Sequence, residues 1–126
     1  MRNQKFYICK KCGNLVGKLD GVVPMICCGE EMEELVANTV EASVEKHLPV
    51  YTFNDDVLEV KIGSTIHPME DKHYISFVYV ETTKGGQRKN LEIGKEPSVC
   101  FKFCEDKPVA VFAYCNLHGL WKTEIK

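Results

Sequence analysis

The sequence has no apolar run approaching the length of a membrane span, no basic stripe and no sustained helical period. Each absence removes a class of protein. Lys and Arg number 16 against 18 Asp and Glu, giving a net charge of −2, which argues against the electropositive footprint of a nucleic-acid binder. Met1-Arg2-Asn3-Gln4-Lys5 runs straight into an apolar triplet and a cysteine, without the apolar core of a signal peptide. The expected setting is therefore the cytoplasm, where thiols stay reduced. Nothing marks internal repeats or low complexity. An even set of cysteines is also missing. There are seven, and an odd count in a reducing compartment points to metal ligands or redox groups rather than a disulfide framework.

What is present divides unevenly. The 126 residues and a hydrophobic fraction of 44% allow one packed domain with a small module attached. The module comes first. Phe6-Tyr7-Ile8 is a short strand signal, followed by the Cys9-Lys10-Lys11-Cys12-Gly13 knuckle. Cys27-Cys28-Gly29 follows after fourteen intervening residues. Both Cys pairs precede a glycine, which permits a tight turn that aims backbone amides at thiolate sulfur. Four thiolates on two such turns make an all-sulfur site that selects zinc or iron. The adjacent second pair predicts a distorted tetrahedron, and the ligands alone leave the two metals equally open. A module of about 35 residues cannot bury a sufficient core, so metal binding supplies much of its folding free energy. Glu30-Glu31-Met32-Glu33-Glu34 reads as a solvated acidic face.

The module boundary falls near residues 36–38, giving residues 1–36 and 37–126 as the two domains. The second reads as all-β. Leu58, Val60 and Ile62 share one face of a strand over 57–62. Residues 74–81, 88–93, 98–104, 109–114 and 120–125 supply further strands, with a hairpin signal at 83–87. Short strands with turns between them indicate a small β-sandwich.

All four histidines lie in this domain, at strand ends or in loops: His47, His67, His73 and His118. Singly, each reads as an ordinary loop histidine. A sandwich gathers its loops at two ends, however, and Cys115 sits three residues before His118 at the end of the apolar run 109–114. Together they would make a five-donor site of four nitrogens and one sulfur. Glu45-Lys46 stands directly before His47. By default this is an exposed charge pair of little energetic worth. If His47 is a ligand, the carboxylate can cap an open coordination position and the ammonium can attract an anion. A blue-copper site is disfavoured, because no Met follows His118 and four histidines are available. A pure electron carrier, and a structural zinc-ribbon protein with idle histidines, are the other readings.

Glu45-Lys46-His47-x-Pro49, His67-Pro68-Met69, His73 and Cys115-Asn116-x-His118-Gly119-x-Trp121, preceded by the four-cysteine module, together resemble desulfoferrodoxin, the two-iron class of superoxide reductase. The likeness covers essentially the whole chain. It implies a desulforedoxin-like, rubredoxin-type module with iron on Cys9, Cys12, Cys27 and Cys28. It implies an immunoglobulin-like sandwich with a second, catalytic iron. There His47, His67, His73 and His118 would be equatorial and Cys115 axial. Glu45 would occupy the sixth position in the oxidised resting state, with Lys46 beside the open site. The implied activity is one-electron reduction of superoxide to hydrogen peroxide without oxygen release. The implied partners are a rubredoxin-like electron donor and a second copy of the chain. Cys100 and Cys104 receive no role, and packing beside Phe101 and Phe103 is their default.

Overall fold

The computed structural model describes residues 3–22 and 24–126, which are almost entirely β. They form two compact units, residues 1–36 and 37–126.

The first unit holds β1 (Lys5–Ile8), β2 (Leu15–Lys18), β3 (Ile26–Cys27), β4 (Glu30–Glu31) and β5 (Glu33–Leu35). Strand β1 is central, with β2 and β5 antiparallel on either side. Strands β3 and β4 make a minimal hairpin in which Cys27 pairs with Glu30. Among the described residues of this unit only Phe6, Cys9 and Met32 are buried. Three buried side chains cannot offset the entropy of ordering a segment this long.

The second unit opens with a single helical turn, α1 (Val44–His47), and continues through β6 (Pro49–Asn54), β7 (Val57–Ile62), β8 (Ile75–Thr82), β9 (Gly85–Asn90), β10 (Ser98–Lys102), β11 (Pro108–Cys115) and β12 (Gly119–Glu124). One sheet has the order β10-β7-β6 and the other β12-β11-β8-β9. Strand β7 pairs with β10, and β8 with β11. The connections β7 to β8 and β9 to β10 therefore cross between sheets, as in an immunoglobulin-like sandwich. Strand β7 alternates as the sequence predicts, with Leu58, Val60 and Ile62 buried. They pack with Ile75, Val78 and Val80 of β8 and with Val111, Ala113 and Cys115 of β11. Phe101 and Phe103 complete this core, whereas Cys100 and Cys104 are exposed. Packing is thus not their role, because the alternation sends the phenylalanines inward and the cysteines out.

Two expectations shift. One strand beyond those expected, β6, precedes β7, and the β8–β9 hairpin turns at Thr83-Lys84, so β9 spans 85–90 rather than 88–93. No described helix is long and apolar enough to cross a membrane.

Candidate metal centres

The first donor group is Cys9, Cys12, Cys27 and Cys28. The knuckle after β1 is closed by Gly13 N–H donating to Cys9 O at 2.8 Å and Cys9 N–H donating to Asn14 O at 2.8 Å. Cys28 and Gly29 both have positive φ, 54° and 76°, the signature of a two-residue type I′ hairpin turn. The two Cys pairs are therefore built differently, one on a loop knuckle and one at a hairpin tip. Cys12 Sγ lies 3.6 Å from Cys27 Sγ, and Cys27 Sγ lies 4.0 Å from Cys28 Sγ. Sulfurs bound at about 2.3 Å to one tetrahedral ion lie about 3.8 Å apart, so the spacing fits a metal with modest inequality of the edges. The thiols disagree in acidity. The Cys12 backbone amide draws Cys9 down to about 7, while hydrogen bonding with Cys12 and Cys9 drives Cys28 up to about 12. Four sulfurs this close cannot all ionise without a cation among them.

The second group is His47, His67, His73 and Cys115, whose donor atoms all lie within 4.8 Å of one another. His118 joins it, with Nδ1 3.1 Å from His47 Nε2 and 3.9 Å from Cys115 Sγ. The four rings occupy the corners of a near-square. Going round His47, His67, His73 and His118, neighbouring centroids are 4.6, 4.6, 5.2 and 4.9 Å apart, with interplanar angles of 75° to 89°. The diagonal from His47 to His73 is 6.3 Å. All five donors predicted from the sequence are thus brought together.

Local chain geometry explains the convergence. His47 ends α1, and its Nδ1 is 2.7 Å from the Ser43 carbonyl; His67 Nδ1 is 2.7 Å from the Pro68 carbonyl. A carbonyl only accepts, so both Nδ1 atoms carry hydrogen and both Nε2 atoms are bare lone pairs. Yet those two Nε2 atoms face each other at 3.2 Å. Two bare acceptors at that distance repel unless a cation lies between them. His73 Nε2 is buried with no hydrogen-bond partner among the described residues, as expected of a lone pair meant for a metal. Nitrogens bound at about 2.1 Å to one ion at right angles would lie about 3.0 Å apart. The residues fit a transition metal.

Burial lowers the pKa of His47, His67 and His73, with His67 brought down to about 4. These imidazoles are neutral at physiological pH and available as ligands. Burial also pushes the Cys115 thiol up, opposed by the backbone amides of His118 and Leu117. A bound cation reverses that preference and favours the thiolate. Glu45 and Lys46 are exposed on α1, and Glu45 is not among the donor atoms of either group. The Ser43 hydroxyl is the main influence holding its carboxyl below the ordinary range. The Lys46 charge is felt, as the smallest of several influences, at both His47 and His73.

Four supporting residues have roles that could not be read in advance. Asn116 straps the His73 segment to the Cys115 loop. Its Oδ1 accepts from Tyr74 N at 2.9 Å, and its Nδ2 donates to Lys72 O at 3.0 Å. Trp121 stacks on the His47 ring at 4.8 Å and donates from Nε1 to His118 O at 3.1 Å, so one side chain steadies two donors. Gly63, at φ 87°, lies beneath α1. A Cβ there would sit 2.7 Å from Lys46 O and 2.8 Å from Glu45 O, so no larger residue leaves that backbone in place. Ser43 holds His47 through its carbonyl and Glu45 through its hydroxyl.

A thiolate-and-imidazole metal centre at one end of an immunoglobulin-like sandwich, with a tetrathiolate module before it, defines a non-haem metal oxidoreductase. Comparison with known proteins narrows the class. The profile of the Desulfoferrodoxin family matches residues 39–124. A desulfoferrodoxin of Syntrophotalea carbinolica is 43% identical over 119 residues, covering 94% of both chains. One of Desulfarculus baarsii is 39% identical over 119 residues, again covering 94% of each. The crystal structure of the superoxide reductase from Treponema pallidum superposes with a TM-score of 0.82 at 32% identity, covering 98% of this chain and 100% of that one. The chain belongs to the desulfoferrodoxin family. Its fold is that of a superoxide reductase, an oxidoreductase, and its two donor groups are those of the family's two iron sites.

Proposed function

We propose that this chain reduces superoxide to hydrogen peroxide by one electron and releases no oxygen. The observation that carries the reading is the square of four histidine rings closed by the buried Cys115 sulfur. In this account residues 1–36 are a desulforedoxin-like module with iron on Cys9, Cys12, Cys27 and Cys28. Residues 37–126 are the catalytic domain, with iron held by His47, His67, His73, His118 and Cys115.

Iron held by the second donor group would supply the single electron, and the balance is superoxide plus one electron plus two protons giving hydrogen peroxide. The chain's own groups do the rest. The Cys115 sulfur would donate electron density to a metal held at the site, as thiolate ligands do elsewhere. The Leu117 and His118 amides aimed at its sulfur restrain that donation. Lys46 is an exposed ammonium beside the histidines and attracts an anion to a chain that is net negative. It also carries a proton at Nζ, which it or water delivers. Glu45 carries the carboxylate that would close the exchangeable position of a loaded, oxidised site and help displace product. A rubredoxin-like protein returns the electron, in the cytoplasm, to a homodimer of this chain.

The test is anaerobic mixing of the reduced, iron-loaded protein with superoxide, for the wild type and Lys46→Ala. The wild type gives one peroxide per superoxide consumed and no oxygen. Lys46→Ala gives the same stoichiometry, with capture slowed about tenfold at low ionic strength and the gap closing as salt rises. Oxygen evolution with half the peroxide would make the protein a dismutase. Failure of superoxide to oxidise the protein would leave a pure electron carrier. Unchanged capture by Lys46→Ala at low salt would remove Lys46 from the mechanism.

A further inference from the structure

The fold fixes the backbone of Glu45 and holds its carboxylate through the Ser43 hydroxyl and, secondarily, the residue's own amide. Glu45 O accepts from Thr65 N at 3.0 Å and from Ser64 Oγ at 3.3 Å, and Gly63 packs directly beneath. With the main chain pinned from three residues, the carboxylate moves by side-chain torsion alone. Ser43 occupies the N-cap position of α1, yet its hydroxyl makes no capping bond. Instead Ser43 Oγ donates to Glu45 Oε2 at 2.7 Å, a short, charge-assisted bond. Meanwhile its carbonyl accepts from His47 Nδ1 at 2.7 Å and from Lys46 N at 3.3 Å. The donor cluster contains no Glu45 oxygen.

We propose that Ser43 is a positioning residue that latches the Glu45 carboxylate away from the second metal centre and so keeps its exchangeable position open to small anions. This rests on the reading of Glu45 as the carboxylate that closes that position. The latch is a competition between two places for one carboxylate. An anion entering the site binds only the fraction of molecules in which Glu45 is out, so its apparent dissociation constant scales inversely with that fraction. A hydrogen bond to an exposed charge shifts such a balance modestly, by about threefold to tenfold. The same residue's carbonyl orients His47 through the main chain, which a side-chain substitution preserves.

The experiment titrates the oxidised, iron-loaded full chain with azide and follows the visible spectrum, without turnover. Ser43→Ala weakens azide binding about threefold to tenfold, because the released carboxylate competes for the position. Ser43→Thr keeps the hydroxyl and stays within about twofold of the wild type. Glu45→Ala binds azide more tightly, and adding Ser43→Ala to it changes nothing further. Three results would overturn the latch, each with a separate meaning. If Glu45→Ala leaves azide affinity at the wild-type value, Glu45 does not close the position, and that reading falls together with the latch. If Glu45→Ala tightens azide while Ser43→Ala has no effect, the Glu45 reading stands and Ser43 is not its latch. If the Ser43→Ala effect persists without Glu45, it travels through His47 instead.

Discussion

Cys115→Ser leaves the oxidised protein without the low-energy thiolate-to-ferric charge-transfer band and slows superoxide reduction by at least about a hundredfold. Residues that merely support a metal ligand typically cost tenfold to a hundredfold when lost, and Cys115 is proposed as a ligand itself. The reason is specific to the position. Cys115 is fully buried at the end of β11, opposite Gly119 and beside Ile75. The register slips between Tyr114 and Cys115 against β8, which breaks the regular alternation where the chain leaves the sheet. A serine oxygen at that point has neither the softness nor the acidity of sulfur. The Leu117 and His118 amides that face the sulfur can donate to a serine oxygen instead, so the loss is in metal binding and not in folding. Cys100→Ser is the matched control, since that thiol is exposed on β10, and it leaves the band intact. Survival of the band in Cys115→Ser would remove Cys115 from the ligand set.

The second large effect is in the first unit. Cys9→Ser loses one iron per chain, and residues 1–36 then unfold while 37–126 remain folded. Cys9 is one of only three buried residues among those described in this unit, and its thiol is the one drawn down to about 7 by a backbone amide. It is one of the four sulfurs that would hold the ion, and the unit has little apolar burial to fall back on. Structural tetrathiolate sites contribute about 10–16 kcal/mol of binding free energy that becomes folding free energy, so losing the ion exceeds anything Phe6 and Met32 supply. Limited proteolysis with metal analysis reads the result. Cleavage appears within residues 1–36, the fragment beginning near Ala37 persists, and iron falls by one. A variant that keeps both its iron and its protease resistance would show that three cysteines and the three-stranded sheet suffice.

How much of this was legible depends on the range of the interaction that fixes each feature. Strand β7 was read to the residue, because Leu58, Val60 and Ile62 alternate against polar partners and such alternation is a local signal. The five donors were legible as residue types at strand ends. Their arrangement about one plane was implied by the family resemblance and not by spacing, since it depends on the Gly63 contact under α1 and the Asn116 strap at Tyr74, both long-range, as well as on the local turn from Cys115 to Gly119. Strand β6 escaped because it begins at Pro49, which an edge strand tolerates, and its inward-facing residues Tyr51 and Phe53 are only half-buried. Strand β9 is Gly85-Gly86-Gln87-Arg88-Lys89-Asn90, with no apolar period at all. Its register is imposed by β8, from Phe77 opposite Asn90 to Thr82 opposite Gly85. Both cysteine pairs are tight turns before a glycine, as the sequence indicates, and only the kind of turn was not legible. Each ends in glycine, but whether a glycine closes a loop knuckle or a hairpin turn depends on the strands around it.

Metal content measured together with the visible spectrum, as isolated and after oxidation, tests the central claim most directly. The account predicts two irons per chain, a ferric tetrathiolate chromophore at the outset, and a second, lower-energy band that appears on oxidation. One zinc per chain with no oxidisable chromophore would contradict it, leaving the four histidines and Cys115 without a function in electron transfer.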